Sequence, residues 1–192
     1  MKGIKKSDLE SKGYKEKGKI DLVNNKKEAI LVNVWGIAII VVMLLIIPLL
    51  YKANIVISPG EKYFISMIAF IVLMLLYIPL HEIVHGITLK CFSDEKLSFG
   101  WKLVYAYCGS KEAAMRPNEY FIVALAPLVV FSLVFIPLMF INKELSLVWY
   151  ALEAMNVSGS IGDIYVTVKL WKERNNDTLI TDSGTDMTFW SK

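Results

Sequence analysis

Long apolar runs with almost no charge in them constrain this chain more than any other feature. Four segments qualify as bilayer crossings: roughly Ala29 to Tyr51, Tyr63 to Leu89, Tyr120 to Ile141 and Leu147 to Trp171. At about 1.5 Å per residue each covers the ~30 Å hydrocarbon layer. No water is available there to bond backbone amides, so such runs are expected to be helices. The fourth run is the least apolar, because it carries Glu153, Asn156 and Asp163. Hydrophobic residues make up 55% of the 192. The expected fold class is an all-α polytopic membrane protein with about four transmembrane helices.

The polar remainder divides into a leader (1–28) and a tail (172–192) around a membrane domain (29–171). The leader shows no clear period and is expected to be flexible or loosely helical. It holds nine lysines, while Lys90, Lys96, Lys102, Lys111 and Arg116 lie between the second and third runs. Lys169, Lys172, Arg174 and Lys192 follow the fourth run, and the other two loops carry only Lys52, Lys62 and Lys143. Positive residues collect on the cytoplasmic side. Both termini are therefore expected in the cytoplasm, with the chain integral to a bacterial-type plasma membrane. The first run is longer than a signal-peptide core and is read as an anchor. Asp8, Glu10, Glu16, Asp21 and Glu28 are mixed into the leader, which favours the lipid surface over nucleic acid as its partner.

Two stretches read as strands. From Leu97 to Cys108, large residues (Leu97, Phe99, Trp101, Leu103, Tyr105, Tyr107) alternate with Ser98, Gly100, Lys102, Val104, Ala106 and Cys108. This period of two predicts a small cytoplasmic β-hairpin between helices 2 and 3. It would either rest its aromatics on the headgroups or offer an edge to an extended substrate. In the tail, Leu179-Ile180-Thr181 and Met187-Thr188-Phe189-Trp190 flank Asp182-Ser183-Gly184, a second hairpin signal that could cap the bundle.

The only two histidines of the chain stand four apart, in His81-Glu82-Ile83-Val84-His85. On a helix that spacing stacks both imidazoles on one face, within reach of one metal ion. Glu82 lies beside that face, placed to take a proton from water. Such groups are costly at membrane depth, so their clustering there implies function. A catalytic zinc site needs a third protein ligand and one open position. No third histidine exists, so a carboxylate is expected. His85 lies five residues before Lys90 and Asp163 six before Lys169, which puts them at matching depth. Glu153 is ten residues earlier, about 15 Å toward the other face. Asp163 is therefore the expected ligand, ahead of Glu153 and Cys91. Asn156 shares the face of Asp163, and Ser158-Gly159-Ser160 is expected to loosen the helix near it. Pro79, two residues before His81, is expected to kink the second helix.

The run HEIVHG, a short LSFG element, ALAP in the third apolar segment and N-x-x-G-S-x-G-D in the fourth together resemble the site-2 protease group of intramembrane metallopeptidases. They are closer to a bacterial family of small, uncharacterised membrane zincins. The resemblance covers roughly residues 63 to 170. It implies that His81, His85 and Asp163 are zinc ligands, that Glu82 is the catalytic glutamate and that Asn156 holds substrate. Gly159 stands near the position where site-2 proteases carry a proline, and Ile164 where they carry a glycine.

The expected activity is a zinc-dependent intramembrane endopeptidase, cutting a membrane-protein or peptide substrate near the cytoplasmic face. A non-catalytic metal-binding adaptor or immunity-type protein is the alternative. A metal-ion transporter ranks behind both, since transport calls for ligands at several depths.

Overall fold

The computed structural model describes residues 4–102, 105–174, 177–184 and 186–192. Leu103 and Val104 of the alternating stretch lie outside the described residues. The described residues form five α-helices: α1 (Lys26–Lys52), α2 (Tyr63–Phe92), α3 (Pro117–Ile141), α4 (Ser146–Gly159) and α5 (Ile161–Glu173). Of these α1, α2 and α3 are long and apolar enough to cross a membrane. The helix of α2 continues through Pro79.

The fourth apolar run is not one helix. It breaks at Ser160, whose N–H still reaches back to Asn156 while α5 begins at Ile161. The loosening expected around Asn156 falls four residues later, where Ser158, Gly159 and Ser160 are poor helix formers. The two pieces, of 14 and 13 residues, are each about 20 Å long and too short to span alone. About four transmembrane helices thus becomes three long helices and a broken pair, which carries the chain back to the side where α3 began.

The all-α expectation is also overturned. Six strands form an antiparallel sheet: β1 (Ile4–Lys5), β2 (Lys15–Asp21), β3 (Ser98–Lys102), β4 (Tyr105–Met115), β5 (Leu179–Asp182) and β6 (Asp186–Ser191). The order is β1-β4-β5-β6-β2, with β3 paired to the first half of β4. The hairpin expected between helices 2 and 3 exists as β3–β4, but as one part of this larger sheet. The tail hairpin is β5–β6. The leader, expected to be flexible or loosely helical, instead supplies β1 and β2, with a single 3-10 turn at Lys6–Asp8 between them and the start of α1 after them. Its strand β2 pairs on one edge only, Ile20 opposite Met187 and Lys19 opposite Thr188. With Ile20 its sole fully buried side chain, Lys-Glu-Lys-Gly-Lys-Ile-Asp shows no apolar alternation.

All three polar segments meet at one end of the helices, because β1 and β2 precede α1, β3 and β4 separate α2 from α3, and β5 and β6 follow α5. One core joins sheet to helix ends: Ile20, Met115, Ile180, Met187 and Phe189 pack on Leu89, Tyr120, Phe121, Val166 and Leu170. A second core lies deeper, where Tyr77, Phe135, Val148 and Leu152 join α2, α3 and α4. Outside these, the long helices present apolar side chains outward, and α1 has no buried residue.

Gly86, directly after the histidine motif, sets how closely the sheet approaches α2. A Cβ there would lie 2.9 Å from Phe99 Cζ and 3.2 Å from Cys108 Sγ. Gly86→Leu should therefore push the β3–β4 hairpin off α2. The expected cost is at least the ~1–3 kcal/mol of an overpacked core, read as a lowered unfolding temperature in detergent and faster proteolysis between residues 93 and 116. A variant as stable as the natural chain would refute this packing.

Candidate metal centre

His81 and His85 lie on adjacent turns of α2, and Asp163 lies in the first turn of α5. Asp163 Oδ2 is 3.7 Å from His81 Nε2 and 3.6 Å from His85 Nε2. Their three ligand atoms all fall within 4.8 Å of one another. Atoms about 2.1 Å from a tetrahedral zinc ion stand about 3.4 Å apart, so this spacing fits a single ion. The break at Ser160 makes the arrangement workable. It sets Asp163 at a helix N-terminus, where unpaired N–H groups favour a carboxylate.

The second nitrogen of each imidazole is already engaged. Tyr77 donates its only hydroxyl hydrogen to Asn156 Oδ1 at 3.1 Å. Its 2.9 Å contact with His81 Nδ1 must then be an Nδ1–H donating to the phenol oxygen. His85 Nδ1 likewise donates to the Val123 carbonyl at 2.9 Å. Both rings are thus held in the tautomer that leaves the Nε2 lone pair facing Asp163, as metal-binding histidines require.

Asn156 is completely buried. Its Nδ2 is shared among Leu128 O at 3.1 Å, Ser132 Oγ at 3.1 Å and Glu153 Oε2 at 3.3 Å. Ser132 closes the network by donating to Glu153 Oε1 at 2.6 Å. Asn156, expected to hold substrate, is thus tied to the metal group through Tyr77. Glu153 lies outside that group, its carboxylate accepting from Ser132 and Asn156, and the break that could have brought it nearer falls downstream of it. Cys91 is exposed and lies outside the group.

A cavity of about 580 Å³ opens on the three ligand residues. Glu82 lines it and accepts the backbone N–H of Cys108, so β4 orients this carboxylate. Cys108 also lines the cavity, and burial, reinforced by Glu82 and Asp182, pushes its thiol up to about 12. The sheet adds Tyr107, Asp182 and Gly184, α3 adds Tyr120, and α1 adds Asn33. Asp182 accepts Gly184 N–H at 2.7 Å and the Tyr120 hydroxyl, yet burial still raises its carboxyl to about 6. Tyr77, Asn33, Tyr120 and Asp182 were not singled out from sequence. For Tyr77 a signal existed, since it stands one turn before His81. For Asp182 there was none, because its place depends on strand pairing across the chain.

Two expectations follow. Purified protein should carry about one zinc per chain, lost in His81→Ala, His85→Ala and Asp163→Ala. Tyr77→Phe should keep the fold but weaken zinc about 10–100-fold, the usual effect of removing a partner behind a ligand; unchanged affinity in a chelator competition would exclude the orienting role. Separately, a carboxyl raised from 3.8 to about 6 on folding opposes folding above pH 6 and has no effect below about pH 4. In the metal-free protein, Asp182→Asn should raise the unfolding temperature at pH 8 and leave it unchanged at pH 3.5. A gain of equal size at both pH values would contradict the buried charge.

Residues 74–178, more than half of the 192, match a family model. The match takes in the histidine motif, the β3–β4 hairpin, α3, α4 and all of α5, and so every residue of the metal group. No curated protein and no solved structure matches the chain at a significant level. The chain belongs to the family that this model describes, "Putative zincin peptidase".

Proposed function

We propose that the protein is a zinc-dependent intramembrane endopeptidase that cuts membrane-embedded substrates close to the cytoplasmic face, with both termini and the sheet in the cytoplasm. The observation that carries this reading is that Glu82 opens into the same cavity as His81, His85 and Asp163. A metal store or adaptor needs the ligands but has no use for a carboxylate left free beside them. His81, His85 and Asp163 would hold a zinc ion there, which would supply the Lewis acidity that makes water a nucleophile near neutral pH. Glu82 takes the proton from the attacking water and delivers it to the amide nitrogen that leaves. The Cys108 N–H holds Glu82 in place, Tyr77 and Val123 hold the imidazoles, and Phe131 and Phe135 pack on Tyr77 to keep that side dry.

The substrate is a peptide segment that unwinds before it is cut, since helical amides are shielded by their own hydrogen bonds. Edge strand β3 supports this. Among the described residues it pairs only with β4, and its Phe99 ring reaches Gly86 beside the motif. An extended peptide added along β3 would run next to the metal group. The exposed faces of Phe99 and Trp101 fit either such a peptide or the headgroup layer.

Glu82→Gln tests hydrolysis directly. It should retain zinc and fold while losing cleavage of a membrane substrate by ~10²–10⁴-fold or more. The substrate is found by comparing membrane peptides from cells with the natural and variant chains. If Glu82→Gln matches the natural chain in every phenotype while His81→Ala does not, the adaptor reading replaces this one.

A further inference from the structure

Asn33 is the only amide, hydroxyl or charged side chain between Ala29 and Leu50. It hydrogen-bonds to no described residue. A carboxamide without a partner is costly in hydrocarbon, so one within the apolar run of α1 calls for a reason. Its position supplies one, because Asn33 lines the cavity beside the metal group and, among the described residues, is the only carboxamide that does.

Depth and rotation agree. Asn33 is seven residues after Lys26, where α1 begins, and His85 is seven before Phe92, where α2 ends (33 − 26 = 92 − 85). Both therefore lie about 10 Å in from the sheet end of their helices. The rotation of α1 is fixed by a line of contacts on α4 and α5. Glu28 pairs with Lys169, a Cβ on Gly36 would stand 3.4 Å from the Ser158 carbonyl oxygen, and Tyr150 donates to the Met43 carbonyl at 2.7 Å. Ala29, Val32 and Asn33 face the cavity from the same side of α1.

The other polar groups around the cavity have assigned work. His81 and His85 spend Nδ1 on Tyr77 and Val123, Glu82 is held by Cys108, and Asp182 by Gly184 and Tyr120. Among the described residues lining the cavity, only Asn33 offers a neutral group with both donors and an acceptor that no other described residue uses. That is the pattern of a peptide unit, and it matches the main chain of an extended peptide, whose N–H and C=O lie free once its helix unwinds. We propose that Asn33 is a substrate-binding residue that hydrogen-bonds the main chain of the unwound substrate beside the scissile bond. The inference rests on the peptidase reading and deepens it. It makes α1 the wall of the binding cleft and selects substrates by exposed backbone, not by side-chain charge.

The test uses two zinc-directed probes on full-length protein in detergent: acetohydroxamate, which reaches the metal alone, and a hydroxamate carried on a Leu-Leu dipeptide, which adds main chain. Asn33→Ala and Asn33→Leu should both keep zinc and fold, the second being an apolar side chain of similar size in an apolar helix. Both should bind the peptidyl hydroxamate about tenfold more weakly, the loss of one or two peptide hydrogen bonds, and bind acetohydroxamate within about twofold of the natural chain. Equal affinity for the peptidyl probe in all three proteins overturns the inference. So does a parallel loss of both probes, which marks a general collapse of the site. Failure of the natural chain to bind acetohydroxamate removes the metal centre itself, and the peptidase reading falls first.

Discussion

Two imidazoles and a carboxylate set among apolar helices can persist only if each polar atom is matched. The packing of α2, α3, α4 and α5 can be traced to how that is done. Asp163 stands 3.6 and 3.7 Å from the two Nε2 atoms, and the opposite nitrogens are bound to Tyr77 and the Val123 carbonyl. Behind Tyr77 the chain of bonds runs through Asn156 and Ser132 to Glu153. A buried network of this kind rigidifies when complete and is costly when one member is missing. Its members come from α2, α3, α4 and α5, so the hydrogen bonds that orient the candidate ligands also set how those helices pack.

The sheet answers a different need. Helices can bring His81, His85 and Asp163 together, but their ends leave a cavity open to water and the Glu82 carboxylate free to swing. Strand β4 closes over that end and gives its Cys108 N–H to Glu82, while Gly86 lets the strand come close enough to do so. The same sheet supplies Asp182, a carboxyl that burial holds near pH 6 facing the metal group.

The helices and the metal group were legible in sequence because their signals are local. HEIVH carries its geometry in its spacing, and the depth count from Lys90 and Lys169 singled out Asp163 over Glu153. The tail hairpin was legible for the same reason, with apolar strands on either side of Asp182-Ser183-Gly184. Strands β1 and β2 were not. An edge strand buries one face at most, and β2 buries fully only Ile20, so its pattern is that of a charged linker. Its identity comes from β6, some 170 residues away, and no local period records such a pairing. The break at Ser160 was half legible: three small residues marked a weak helix, but only tertiary packing fixed where it gave way. Asn156 shows the limit of matching a motif to a role. Its side chain bonds Tyr77, Leu128, Ser132 and Glu153, a structural use that spacing alone did not reveal and that leaves the substrate role a proposal.

Strand order has a temporal meaning. In the sheet β6 lies between β5 and β2, so β2, made before any membrane helix, has no partner until Asp186–Ser191 exists. Strands β3 and β4 can pair as soon as they are made, but β5 joins β4 only after α5. The helices can therefore enter the bilayer one after another while the roof over the metal group stays incomplete. The cavity beside His81, His85 and Asp163 is therefore finished only when these last strands have been made.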